Sequence, residues 1–172
     1  MRSSKTFLMQ RTSSLLLAIK RWLWLPNLQR ATLNSCVVSL KSLTSYYYID
    51  YDTICLINLT FCGAGAGVRD ENGVRGIVDR PASLYFGREL FSDVFLKAAS
   101  TLEGFSTTQF FRDGNKRTSF LTSTTFLACN GYDWFGPSVD EAEEFLLAVA
   151  DNSHTIEEIA RWLQNFSRPH FE

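Results

Sequence analysis

No acidic residue occurs in the first 49 positions, histidine appears only twice, and the four cysteines include no C-x-x-C pair. The missing acids divide the chain. Residues 1–49 carry seven Lys or Arg; residues 50–172 carry ten against all eighteen Asp and Glu, a net of −8. A basic leader (1–45) thus precedes an acidic domain (46–168). An acidic domain is a poor partner for nucleic-acid phosphates, which are met by clustered Lys and Arg, so no direct nucleic-acid contact is expected. Cys36, Cys55, Cys62 and Cys129 have no histidine at metal-ligand spacing. They read as buried, reduced thiols of a cytoplasmic protein rather than a zinc site. The leader also lacks a long apolar run: its longest, Leu15 to Ile19, stops at Lys20 and Arg21. A membrane span needs roughly 20 such residues, so none is expected. Leu15, Leu16, Ile19, Trp22 and Leu23 share one face if helical. A targeting or membrane-surface segment, an extension packed on the domain, and upstream sequence admitted by an early start codon all fit this composition.

At 172 residues, with 45% apolar and 20% charged residues, the chain suits one folded domain. From Asp50 onward it reads as successive helices, and the expected class is all-α. Tyr51 to Phe61 is an apolar helix or strand candidate that ends at GAGAG. VRDENGVRGIVDRP holds a short helix closed by Pro81. Phe91, Val94, Phe95, Ala98, Ala99, Leu102 and Phe105 then form a core-facing helical stripe. A helix over 115–129 is stopped by Asn130-Gly131. Ser138 with Glu141, and Thr155 with Glu158, mark two capping boxes ahead of two more helices. Only PASLYFGRE looks extended.

Among these helices, FFRDGNKRTSF (110–120) breaks a rule. Arg112, Lys116 and Arg117 crowd a predicted helix start, where the helix dipole favours acids. A turn with exposed bases would account for each residue singly. Together they suit an anion: Gly114 permits close approach, Asn115 is expected as N-cap, and the free N–H groups of the first turn point at the ligand. Lys116 and Arg117 add donors for phosphate oxygens. Asp113 is a candidate carboxylate for magnesium, which takes few carboxylates together with substrate phosphates. The residues point to a nucleotide or phosphate site.

The segment Gln109-Phe-Phe-Arg-Asp-Gly-Asn-Lys-Arg-Thr118, followed by Phe126-Leu127 and Asn130-Gly131, resembles the H-P-F-x-D-G-N-K-R-T motif of the Fic/Doc (Fido) family, death-on-curing branch. GVRDENGVRGIVDRP and Lys97-Ala98-Ala99 match two further family segments, and the similarity spans roughly residues 46–166. The resemblance implies a compact helical domain that uses ATP, or another nucleoside triphosphate, with Mg2+ to modify a protein hydroxyl. Most Fic proteins transfer the nucleoside monophosphate. The death-on-curing branch carries Lys at the position of Lys116 and acts as a kinase on a translation elongation factor. By the same mapping Asp113 binds magnesium, Gly114 and Asn115 form an anion hole, and Lys116 and Arg117 hold phosphates. Ser83, Leu84, Tyr85, Phe86 and Gly87 fall on a flap that aligns the target protein. An antitoxin partner is implied as well. No built-in inhibitory helix is visible, since Ala99 stands where its pattern ahead of Glu103-Gly104 requires a hydroxyl.

One departure bears on chemistry. The family's general-base histidine maps to Gln109, and a carboxamide cannot take a proton from an attacking hydroxyl. General-base catalysis is worth about 10²–10⁴-fold. His154 and His170 read as surface or packing residues. The expectation is a nucleotide site kept largely intact and a transfer step slowed or lost, the alternative being a pseudoenzyme that binds nucleotide, antitoxin or target.

Overall fold

A computed structural model describes residues 46–170; the leader lies outside the described residues. Six helices dominate: α1 Tyr51–Phe61, α2 Glu71–Asp79, α3 Val94–Ser106, α4 Asn115–Cys129, α5 Val139–Ala150 and α6 Ile156–Asn165. The fold is all-α, as expected. Two small antiparallel ribbons accompany it, β1 Leu84–Tyr85 with β2 Arg88–Glu89, and β3 Tyr132–Trp134 with β4 Ser167–Pro169. The first ribbon is the extended segment foreseen at PASLYFGRE. The second was not legible: three-residue strands have no alternation to read, and proline in β4 argues against a strand.

Helices α3 and α4 form the centre, with α1 packed on α4 and α6 on α3. The predicted α3 stripe is buried in full, and Lys97, Ser100, Thr101 and Gly104 are buried with it. Such all-round burial places α3 in the middle of the domain rather than on its surface. Gly104 has a steric reason, since a Cβ there would lie 2.7 Å from Ile77 Cδ1 on α2.

Helix α4 has no apolar stripe, because Ser and Thr occupy much of its buried surface. Its hydroxyls are hidden by bonding backward along the helix or across to α3. Ser123 Oγ lies 2.8 Å from Ser119 O and 3.0 Å from Ala98 O, its single proton shared between the two carbonyls, and Thr124 Oγ1 donates to Phe120 O at 2.8 Å. Ser106 and Ser119 share a 2.7 Å bond between the two helices. These small side chains allow the two backbones to approach closely while every bonded hydroxyl replaces its lost water. Beyond the C-terminal end of α4, Trp134 packs among Phe120, Trp162 and Phe166, and Phe145 stacks on Trp162 at 4.1 Å.

Of the two expected capping boxes, only Thr155–Glu158 is reciprocal; Ser138 caps Glu141 N without a return bond. On α5, Glu143 is buried and its Oε1 has no partner among the described residues. Burial, with Asp140 adding repulsion, raises its pKa above the ordinary glutamate value. The stability this carboxyl leaves in place is therefore full below the unfolded glutamate pKa and is lost as pH rises through the raised folded value. Glu143→Gln is expected to stabilise the domain at pH 8 by on the order of 1 kcal/mol, the scale of a buried unsatisfied group. In urea denaturation that gain should shrink towards zero on acidification; a gain independent of pH would contradict the assignment.

Candidate active site

The site is assembled where three segments meet. Segment 67–70 runs antiparallel to 110–112: Val68 bridges Phe111, Arg69 N and Asp70 N both donate to Phe110 O, and Arg112 N donates to Gly67 O. Asn58, fully buried on α1, joins the two. Its Nδ2 donates to Asp113 O and to Thr118 Oγ1, each at 2.9 Å, and its Oδ1 accepts from Gly67 N at 2.8 Å. One amide thus fixes both loops with respect to α1 and α4. Sequence reasoning passed over Asn58, although the signal was present as a lone amide four residues after Ile54 in an apolar helix.

Asn115 does not cap α4, as its residue type had suggested. Gly114 is the N-cap, at φ +77°, and no side chain caps the helix. Asn115 is the first helical residue, and its amide turns back to Phe111, accepting from Phe111 N and donating to Phe111 O at 2.9 Å each. The other five helices among the described residues all begin with a side-chain cap, from Asp50, Asp70, Asp93, Ser138 and Thr155. Asp113 Oδ1 accepts from Gly114 N, which precedes the helix, and the first backbone bond of α4 runs from Thr118 N to Gly114 O. The N–H groups of Asn115, Lys116 and Arg117 have no acceptor among the described residues.

The glycine is obligatory for two reasons. Its positive φ disfavours a side chain, and a Cβ would stand 2.0 Å from Cys62 Sγ beneath it. Burial pushes the Cys62 thiol above its usual pKa, with Arg117 pulling the other way. Cys62 is therefore a neutral packing group under the turn, as expected of a buried thiol.

The three cations have separate fates. Arg117 is nearly buried, lies 3.2 Å from Asp113 Oδ2 and donates to Phe61 O at 3.3 Å, so it ties the turn to the end of α1. Lys116 is half-buried and has no ion pair among the described residues; Arg112 is exposed. Part of the charge is thus structural and part is unspent. Phe110, in the place of the motif proline, lies against Gly73 of α2, where a Cβ would come within 2.4 Å of its ring.

Gln109 is exposed, and its Oε1 accepts a long 3.4 Å bond from Arg69 Nη1. Neither histidine stands in for it. His154 stacks on Phe145 at 4.7 Å and faces Glu158. His170 lies 3.3 Å from Asp133 and donates its backbone N–H to Gly131 O, past the C-terminal end of α4. A 15-residue helix puts that end about 22 Å from the motif turn.

For magnesium, the donor set is sparse: no group of three His, Cys, Asp or Glu converges among the described residues. The half-exposed carboxylate of Asp113 fits an ion that takes one carboxylate and completes its shell with water and substrate phosphates. The hairpin carrying Ser83 to Gly87 turns at Phe86 and Gly87, both at positive φ, and exposes Leu84, Tyr85 and Phe86. No helix among the described residues is long and apolar enough to cross a membrane.

The described domain is thus helical, with an uncapped, cation-flanked helix start behind a glycine turn. The sequence profile of the Fic/DOC family matches residues 48–127, which include that turn and most of α4. The chain is also similar to Toxin Doc of Mycolicibacterium smegmatis, at 29% identity over 121 residues, covering 70% of this chain and 93% of the relative. Both matches place the likeness to the Fic/DOC family on the helical domain and its glycine turn.

Gly114→Ala combines the cost of left-handed backbone with the overlap on Cys62 and should destabilise the domain by about 3 kcal/mol or more. Gly131, at φ +93°, has open space within 4 Å of where a Cβ would stand. Gly131→Ala should therefore cost only the backbone part, about 1–2 kcal/mol. Equal losses in thermal denaturation would show that the Cys62 contact does not constrain the turn.

Proposed function

We propose that this chain is a toxin-type Fic transferase domain that holds ATP, or another nucleoside triphosphate, at the start of α4 and phosphorylates a hydroxyl of a target protein, with the transfer slowed by Gln109. The observation that carries the reading is the uncapped first turn of α4, where the other helices among the described residues are all capped. A polyphosphate there would meet the N–H groups of Asn115, Lys116 and Arg117, the Lys116 ammonium, and the guanidinium N–H groups of Arg117 not used internally. Magnesium held by Asp113 and the phosphates would neutralise charge on the transferring group.

In the transfer itself, the target hydroxyl oxygen bonds to the terminal phosphorus as the bond to the leaving diphosphate oxygen breaks. The hydroxyl proton must go to an acceptor. In the family that acceptor is the motif histidine; here Gln109 can orient the hydroxyl but cannot take its proton. Lys116, in the position that distinguishes the death-on-curing branch, favours phosphate over nucleotide as the group transferred. The relative's name, Toxin Doc, supports a toxin role; a protein target such as a translation elongation factor and an antitoxin partner follow from the motif resemblance. The exposed ribbon edge of the flap suits alignment of a target backbone by strand addition. A second reading is favoured by Gln109 alone: a pseudoenzyme that binds nucleotide, target or antitoxin without chemistry.

Labelled-phosphate transfer to a purified elongation factor should be very weak for the native chain and rise about 10²–10⁴-fold in Gln109→His. Robust native activity that histidine does not raise would overturn the slowed-transfer reading, and silence in both would favour the pseudoenzyme. In Mg-ATP titration, Lys116→Ala should weaken affinity with the melting temperature unchanged. Arg117→Ala should lower both, because Arg117 also holds Phe61 and Asp113. Saturable binding indifferent to Lys116 would remove it from the site.

A further inference from the structure

Lys97 is fully buried, the one Lys or Arg among the described residues for which this is true. Its Nζ donates to Pro81 O at 3.1 Å, lies 3.3 Å from Glu89 Oε2, and faces the rings of Tyr46 and Tyr48 at 5.2 and 5.8 Å from their centroids. A charge out of water persists only when it is paired and hydrogen-bonded, and these four groups do that here. Their places in the chain are informative. Pro81 lies in the turn leading into the flap hairpin and Glu89 is in its returning strand, so the entry to the hairpin and its returning strand are fastened to one ammonium on the central helix.

The hairpin has little else to fix it. It pairs Leu84 with Glu89 and Tyr85 with Arg88, adds one bond from Leu90 N to Ser83 O, and leaves every residue from Leu84 to Leu90 exposed. A ribbon this short is marginal alone. Arg80, paired with Glu103 and bonded to Ser100 O, steadies the turn ahead of it but does not reach the returning strand. We propose that Lys97 is a positioning residue for the flap, holding the hairpin to α3 through the Pro81 carbonyl and the Glu89 carboxylate. Its consequence for target alignment rests on the flap role given above; the latch itself does not.

Glu89 is half-exposed and can be changed without opening the core, so Glu89→Gln is the primary variant. Amide hydrogen exchange of the full chain should become several-fold faster over residues 84–90 relative to residues 98–105, beyond any shared change in global stability. Trypsin should cut sooner after Arg88. Roughly 1 M salt should bring the native protein towards the variant, because a half-exposed pair is screened. Lys97→Met should loosen the hairpin further; if it fails to fold, Glu89→Gln decides alone. Hairpin exchange and cleavage identical in the native chain and Glu89→Gln would overturn the latch.

Adding Glu89→Gln to Gln109→His separates the two claims. A raised KM for the protein target with an unchanged KM for ATP supports the latch and the flap's role together. A loosened hairpin with an unchanged target KM supports the latch and counts against the flap reading.

Discussion

Everything at the site depends on α4 beginning without a cap. A helix start has N–H groups that must find acceptors, and elsewhere in this domain an aspartate, serine or threonine supplies one. At α4 the side chain best suited to the task, Asn115, is folded back onto Phe111, and the residue at the capping position is a glycine with no side chain to offer. Asn58 makes this stable by gripping the turn from below, through Asp113 O and Thr118 Oγ1, while Cys62 closes the space under Gly114. The turn is rigid without being satisfied. Preorganised donors of this kind lose little freedom when an anion arrives.

The crowding of positive charge at the same point is resolved by division of labour. Arg117 lies against Asp113 and the end of α1, where its charge is met within the fold. Lys116 and Arg112 have no ion pair among the described residues. A helix start that repels its own side chains is a local conflict, and such conflicts are expected where function outweighs stability. The flap supplies the second such place, since Phe86 is held at φ +48° and 90% exposed at the tip of a two-residue turn. A strained aromatic facing water is costly unless it meets a partner.

Much of this was legible in the residues. Periodicity placed α3, α5 and α6, and turn chemistry placed the end of α4, because those signals are local. The motif marked the start of α4 for the same reason: glycine, amide and cations sit within a few positions. What escaped was set by contacts distant in sequence. Asn58 acts on residues 55 and 60 positions away, so the lone amide in an apolar helix did not show what it holds. Asn115 was misread as a cap because its true partner, Phe111, lies behind it. Lys97 looked like part of a family segment, and only the fold brings Pro81, Glu89 and two tyrosines around it. The β3–β4 ribbon was invisible because its pairing joins the end of α4 to the end of the domain.

The central claim is that the open amides of α4 receive a polyphosphate. Backbone amide NMR during Mg-ATP titration tests it residue by residue. The amides of Asn115, Lys116 and Arg117 should shift most and saturate together, while those at the start of α3, already capped by Asp93, should stay still. Saturable shifts centred elsewhere, with these three amides unmoved, would contradict it.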